Sequence, residues 1–208
     1  NTPLELWTAL RAAVGGPENV LTFAHHTSRR NAWLSWNYYD PEMAPLIEIA
    51  QTRGSYEYDG CFSGLKFHGD CGRVRGHFIQ DGLGRGMRFG LMASGDHAGR
   101  QLTGVFCSEL KRDAVFDALR AKRTFATDGE RMFLDVRVDG HFMGEEYKTD
   151  KHDRKVTVTA KGTLPLAQID LYRNGRVIRS WYPYQSQDLK AEYADQEPLF
   201  RRENYYYV

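Results

Sequence analysis

Beyond residue 128, apolar residues fall on alternate positions, and few backbone conformations accept that pattern. Leu134, Val136 and Val138 alternate with Asp135, Arg137 and Asp139. Val156, Val158 and Ala160 alternate with Thr157, Thr159 and Lys161. A strand turns successive side chains to opposite faces, so a period of two predicts half-buried antiparallel strands. Ile169 and Leu171 lead to Asn174-Gly175, and Val177 and Ile178 follow. Asn-Gly suits a two-residue hairpin, whose central residues both take positive φ. The reading for residues 129–208 is a small antiparallel β-sandwich-like module.

Residues 1–128 follow another rhythm. Leu4, Trp7, Leu10, Ala13 and Val14 have helical spacing, and Gly15-Gly16-Pro17 stops that helix. Short apolar runs at 20–24, 46–50, 88–94 and 103–107 read as strands. Between them lie loops and two helical stretches, 74–83 and 110–122. Strand, loop or helix, strand is the rhythm of a parallel α/β sheet or barrel, where chemistry gathers at the strand carboxyl ends. The expected fold class is therefore α/β plus all-β.

Composition supports a folded core: of 208 residues, 26% are charged and 13% aromatic. A net charge of +1 gives no bulk-charge argument for nucleic acid or an anionic membrane, and neither partner is expected. No apolar run approaches the roughly 18–20 residues of a membrane span, and no signal-peptide pattern is visible. A soluble protein is expected, its compartment unassigned. Cys61 and Cys71 lie ten apart in a Gly-rich stretch and are read as reduced thiols in preference to a loop disulfide.

The chemistry-bearing residues sit just past the apolar runs. His25 and His26 follow the first, and Asp96 and His97 follow the third in a tight, accessible turn flanked by Gly95 and Gly99. Adjacent strand residues point to opposite faces, so one of the two histidines is expected to face a site. Imidazole and carboxylate from two strand ends suit a divalent zinc, manganese or iron ion. Glu48 lies within an apolar strand, where a carboxylate must be paired; it is read as a positioner for a site residue or as a structural ion pair. Arg29, Arg30 and Arg100 follow the two candidate turns and suit phosphate or carboxylate recognition, against the plainer reading of solvated loop charge. His68 and His77 are candidates for the substrate mouth. Trp33, Trp36, Tyr38 and Tyr39 read as the apolar underside of a long loop.

These residues carry a resemblance. Thr22-Phe23-Ala24-His25-His26-Thr27, Leu46-Ile47-Glu48-Ile49 with Gly54-Ser55-Tyr56-Glu57, Phe89 through His97, and Arg123 through Gly129 occur in this order. Together they resemble the PHP (polymerase and histidinol phosphatase) superfamily, in its long, largely uncharacterised bacterial branch with a β-rich tail. The resemblance implies the C-terminal part of a distorted β/α barrel over residues 1–128, with the β-module after it. It also implies metal-dependent hydrolysis of phosphate esters. One of His25 and His26 would be a ligand, and Asp96 and His97 would be the final Asp and His ligands. The family pattern is Asp-x-His, whereas Asp96 and His97 are adjacent. The family's early His-x-His has no counterpart here, so an N-terminal segment or a second chain is expected to supply the remaining ligands.

The functional expectation is a divalent-metal hydrolase acting on a small phosphorylated substrate, of which this chain is the C-terminal part. Two rivals stand beside it. One is a binding or assembly module that docks a partner chain. The other is a metal-dependent amide or carboxyl-ester hydrolase.

Overall fold

A computed structural model describes residues 2–61, 72–97, 99–198 and 203–208. The chain opens with helix α1 (Pro3–Val14). Thr2 and Glu5 cap it reciprocally: the Glu5 amide donates to Thr2 Oγ1 and the Thr2 amide to Glu5 Oε2. Gly15 ends it in the left-handed conformation. Trp7 is its buried anchor, packing with Met43 and Ala44 while its indole donates to Thr22 Oγ1 at 2.9 Å.

Four strands form a mixed sheet: β1 (Phe23–Ala24), β2 (Leu46–Gln51), β3 (Gly54–Ser55) and β4 (Gly90–Ser94). The central strand β2 runs parallel to β1 and β4. β3 folds back antiparallel on β2. Helix α2 (Ile79–Gly84) covers one face, where Ile79 packs with Ile47, Trp36 and Phe89. Trp36 and Phe89 stack at 5.8 Å, and Trp36 lies flat against Gly82, where a Cβ would meet the indole at 2.7 Å.

Two further strands, β5 (Leu102–Val105) and β6 (Thr124–Thr127), flank helix α3 (Arg112–Arg120) and pair antiparallel with each other. Their threonines reach β4. Thr103 Oγ1 accepts from the Ala93 amide and donates to its carbonyl, and Thr124 Oγ1 donates to the Leu91 carbonyl. Side-chain hydroxyls thus satisfy an open strand edge.

The expected β/α barrel is absent: the described strands form several small, largely antiparallel sheets, with few helices and no closed ring. A barrel needs parallel neighbours all round. Here the fourth apolar run takes an antiparallel partner in β6, and β2 carries the hairpin strand β3. The first run contributes only two strand residues, because Thr22 instead bonds the Met43 carbonyl through both its amide and its hydroxyl. The helical stretch read at 74–83 shrinks to α2.

The remaining strands are β7 (Phe133–Val138), β8 (His141–Phe142), β9 (Arg154–Lys161), β10 (Ile169–Arg173), β11 (Arg176–Trp181), β12 (Asp188–Asp195) and β13 (Tyr206–Tyr207). Sheet order is β12-β9-β7-β8 in one antiparallel sheet and β11-β10-β13 in another. Val136, Val156, Val158, Ala160, Ile169 and Leu171 form one shared core, with Leu134 and Val138 packed against it. Asn174 and Gly175 turn the β10–β11 hairpin with φ of 52° and 77°.

A buried ionic knot ties the strand ends together. Asp195, fully buried, receives Arg154 at 3.1 Å, Arg173 at 2.8 Å and the Tyr206 hydroxyl at 2.6 Å. Burial alone would raise its carboxyl pKa. The hydrogen bonds from Tyr206, Arg154 and the Glu197 amide, with the charge of Arg173, instead hold it below the ordinary value. Tyr207 links the halves, donating to Glu57 Oε1 at 2.8 Å and accepting from Gln80. Among the described residues, no helix is long and apolar enough to cross a membrane.

Candidate metal centre

Parallel pairing brings three carboxyl ends to one side of the mixed sheet. β1 delivers His25 and His26, β2 delivers Arg53 just past its last residue, and β4 delivers Asp96. This is the side of such a sheet where ligands bind.

Glu48 organises the site from below. It is fully buried on β2. Its Oε1 accepts from His25 Nδ1 at 2.8 Å and from Ser94 Oγ at 2.5 Å, and its Oε2 accepts from the His26 amide at 3.0 Å. A carboxylate only accepts, so Nδ1 of His25 carries a proton, and in the neutral imidazole the lone pair then lies on Nε2. A carboxylate behind an imidazole is the usual support for a metal-ligating histidine. Glu48 is thus partnered, as a carboxylate buried in an apolar strand must be, by the His25 ring, the His26 amide and Ser94.

His26 (φ 59°) and Asp96 (φ 50°) both take the left-handed conformation, which is uncommon away from glycine and concentrates at functional sites. At His26 the consequence is direct. The turn interrupts strand alternation, so both imidazoles reach the same side, with ring centroids 3.5 Å apart. The expectation that one histidine faces the site is corrected to two. At Asp96 the turn depends on Gly95 and Gly99, which pass so closely that a Cβ on Gly95 would meet the Gly99 carbonyl at 2.6 Å. The turn is less open than the sequence implied, for the Asp96 side chain is only 9% exposed.

Ligand atoms of His25, His26 and Asp96 converge within 4.8 Å of one another. His25 Nε2 lies 3.8 Å from Asp96 Oδ1, and His26 Nε2 lies 3.6 Å from Asp96 Oδ2. Two ligands about 2.1 Å from a tetrahedral ion stand about 3.4 Å apart; holding a zinc-like cation therefore needs the trio to close in and the Arg53 guanidinium to leave Asp96 and His26. Burial first, then positive charge on neighbours that include Arg29 and Arg53, pushes the His26 imidazole down to about 4. It is therefore neutral at pH 7, the form that ligates.

Arg53 was missed in the sequence. Its guanidinium donates to Asp96 Oδ2 and to His26 Nε2, the latter at 3.2 Å. The strand-end rule that selects His25 and Asp96 selects Arg53 equally, once β2 is extended to Gln51. The other predicted residues are more scattered. His97 is almost fully exposed and outside the converging trio, with Nε2 3.4 Å from Asp96 Oδ1. Arg29 is half-buried, bridges Arg73 through its backbone, and its Nε has no hydrogen-bond partner among the described residues. Arg30 and Arg100 are exposed. His68 and Cys71, and with Cys71 the disulfide question, lie outside the described residues. His77 is bonded to the Leu34 carbonyl at 2.6 Å. A separate cavity of about 1530 Å³, lined by Ile49, Glu57, Leu91, Tyr205 and Tyr207 among others, includes none of the trio.

A family model described as "Protein of unknown function (DUF3604)" matches residues 73–166. An uncharacterized protein of Chlamydia pneumoniae is 30% identical over 203 residues, covering 87% of this chain and 32% of the relative. Uncharacterized proteins of Chlamydia trachomatis serovar D and Chlamydia muridarum are each 23% identical over 208 residues, covering 86% of this chain and 32% of each relative. The chain thus spans about a third of the length of the curated relatives it matches. No solved structure gives a significant match. These findings overturn the PHP resemblance: the matching family is one of unknown function, the relatives are uncharacterised, and the barrel is absent. The chain is similar to a family of unknown function and to longer chlamydial proteins.

Proposed function

We propose that His25, His26 and Asp96 hold one divalent cation and that the longer protein uses it to hydrolyse a phosphate ester. The observation that carries this reading is the convergence of the three side chains at two parallel strand ends, with Glu48 fixing His25 from behind. Three ligands among the described residues are the number that a catalytic zinc would take from protein, against four in structural sites. When bound, such an ion lowers the pKa of water and polarises a phosphoryl oxygen.

The chain's own residues do the rest. His25 presents Nε2 because Glu48 holds its Nδ1 proton. His26 stays neutral through burial and neighbouring positive charge. Asp96 supplies the anionic ligand that favours a dication. Arg29 and Arg53 place positive charge where a phosphate ester carries negative charge. That charge favours a phosphate ester over a neutral amide or carboxyl ester.

One observation favours a rival. Arg53 already pairs with Asp96 and His26, so the cluster also reads as a strand end stitched by an ion pair in a binding module. The full-length protein separates the two. It should hydrolyse an aryl phosphate with added zinc or manganese, and Asp96→Asn should lose at least 100-fold in rate. Asn tolerates the left-handed turn, so folding should persist, with the melting temperature within a few degrees. A wild-type protein inert toward phosphate esters with every divalent cation would leave the binding-module reading in place.

A further inference from the structure

Asp96 Oδ2 and His26 Nε2 are claimed twice in this site, once by the Arg53 guanidinium and once by any cation the trio holds. A neutral imidazole nitrogen has a single lone pair, so His26 cannot accept from Arg53 and ligate a metal at the same time. We propose that Arg53 is an exchangeable counter-ion. It holds Asp96 and His26 until a divalent cation takes their ligand atoms, and then turns to bind the anionic oxygens of a phosphate-bearing substrate. This inference rests on the cation-centre reading and adds the substrate contact and the order of events.

The anchoring of Arg53 fits such a turn. Its backbone is held at both ends: its amide donates to Gln51 Oε1 at 2.7 Å, and its carbonyl accepts from Arg73. Its guanidinium, by contrast, has Asp96 and His26 as its hydrogen-bond partners among the described residues. The side chain is 20% exposed, so it has a way out toward solvent. Once Asp96 neutralises a metal, the guanidinium loses its carboxylate and stands beside the cation with its donors unsatisfied. A tetrahedral dianion there completes it, because phosphate accepts the planar fork of arginine through two oxygens. The guanidinium also gives the Asp96 carboxylate a partner whenever no cation is bound. With Arg53 in place, Asp96 is not a bare buried charge.

The test uses calorimetry on the full chain with zinc, and then with inorganic phosphate added to the zinc-loaded protein. Occupation of the site by Arg53 in most free molecules weakens apparent metal affinity by the fraction left open. Arg53→Gln should therefore bind zinc about tenfold more tightly than wild type, and should bind phosphate about tenfold more weakly once loaded. These opposite signs are not what a merely structural arginine would give. Circular dichroism checks that the variant is folded. If Arg53→Gln does not fold, Arg53→Met decides. It keeps an unbranched stem but has no donor for either atom, so zinc affinity should still rise by several fold. Equal zinc affinity in wild type and variant overturns the exchange while leaving the cation centre standing, as does phosphate binding that is unchanged. Absence of zinc binding in both proteins overturns the cation centre itself.

Discussion

Asp195→Ala should cost about 3–5 kcal/mol of folding stability, the range for breaking a buried ion pair from one side. The variant leaves Arg154 and Arg173 buried without their shared carboxylate and removes the acceptor of the Tyr206 hydroxyl. The three strand ends it ties, on β9, β10 and β12, carry both sheets of the C-terminal half. For a chain of this length, that loss lowers the melting temperature by roughly 10 °C. Thermal and urea unfolding of wild type and variant measure it. A change below about 1 kcal/mol would show that the knot is solvated or that its charges rearrange without cost. Zinc binding by folded variant molecules should be unchanged, since the trio belongs to the first half of the chain.

Glu48→Gln should have the second largest effect, and it should appear in two quantities. The amide is nearly isosteric but brings an N–H₂ group where the carboxylate has only acceptors. It must face either the His26 amide or the pair formed by His25 Nδ1 and Ser94 Oγ. Facing His25 and Ser94, the amide is satisfied only if the imidazole moves its proton to Nε2; otherwise an unsatisfied buried donor costs about 1–3 kcal/mol. Losing the carboxylate behind His25 should also weaken divalent binding by roughly 10- to 100-fold, as for other groups that orient a ligating histidine. Thermal unfolding reads the first effect and zinc calorimetry the second. Lower stability with unchanged zinc affinity would make Glu48 a purely structural partner.

Parts of this molecule were legible and parts were not, for physical reasons. Alternation over 134–138 and 156–160 marks strands β7 and β9, because one buried face imposes a period of two. Asn174-Gly175 marks its hairpin because the turn demands positive φ. Strand direction was another matter. An apolar run says that a strand is buried, but not which way its neighbour runs. The run at 103–107 therefore read as another parallel barrel strand, when β5 pairs antiparallel with β6. β6 itself passed unread as a strand, and so did β12, although Leu189, Ala191 and Tyr193 alternate with Asp188, Lys190 and Glu192.

At the site, the strand-end rule found His25, His26 and Asp96, and the oddity of a carboxylate in an apolar strand found Glu48. The same rule overlooked Arg53, hidden behind two polar residues that prolong β2 and its turn. It also set the histidines on opposite faces, because a left-handed residue cannot be read from the word His-His. The knot at Asp195 was beyond reach for a related reason. Its members come from strand termini 22 and 41 residues apart in sequence, where no short pattern connects them.

The central claim is that His25, His26 and Asp96 hold a divalent ion, and diffraction from zinc-soaked crystals measured on both sides of the zinc absorption edge tests it most directly. The account predicts one anomalous peak about 2.0–2.2 Å from the Nε2 atoms of His25 and His26 and from an Asp96 carboxylate oxygen, with Arg53 turned away from Asp96. Density without a peak among these side chains, and with Arg53 still bonded to Asp96 and His26 at saturating zinc, would contradict it.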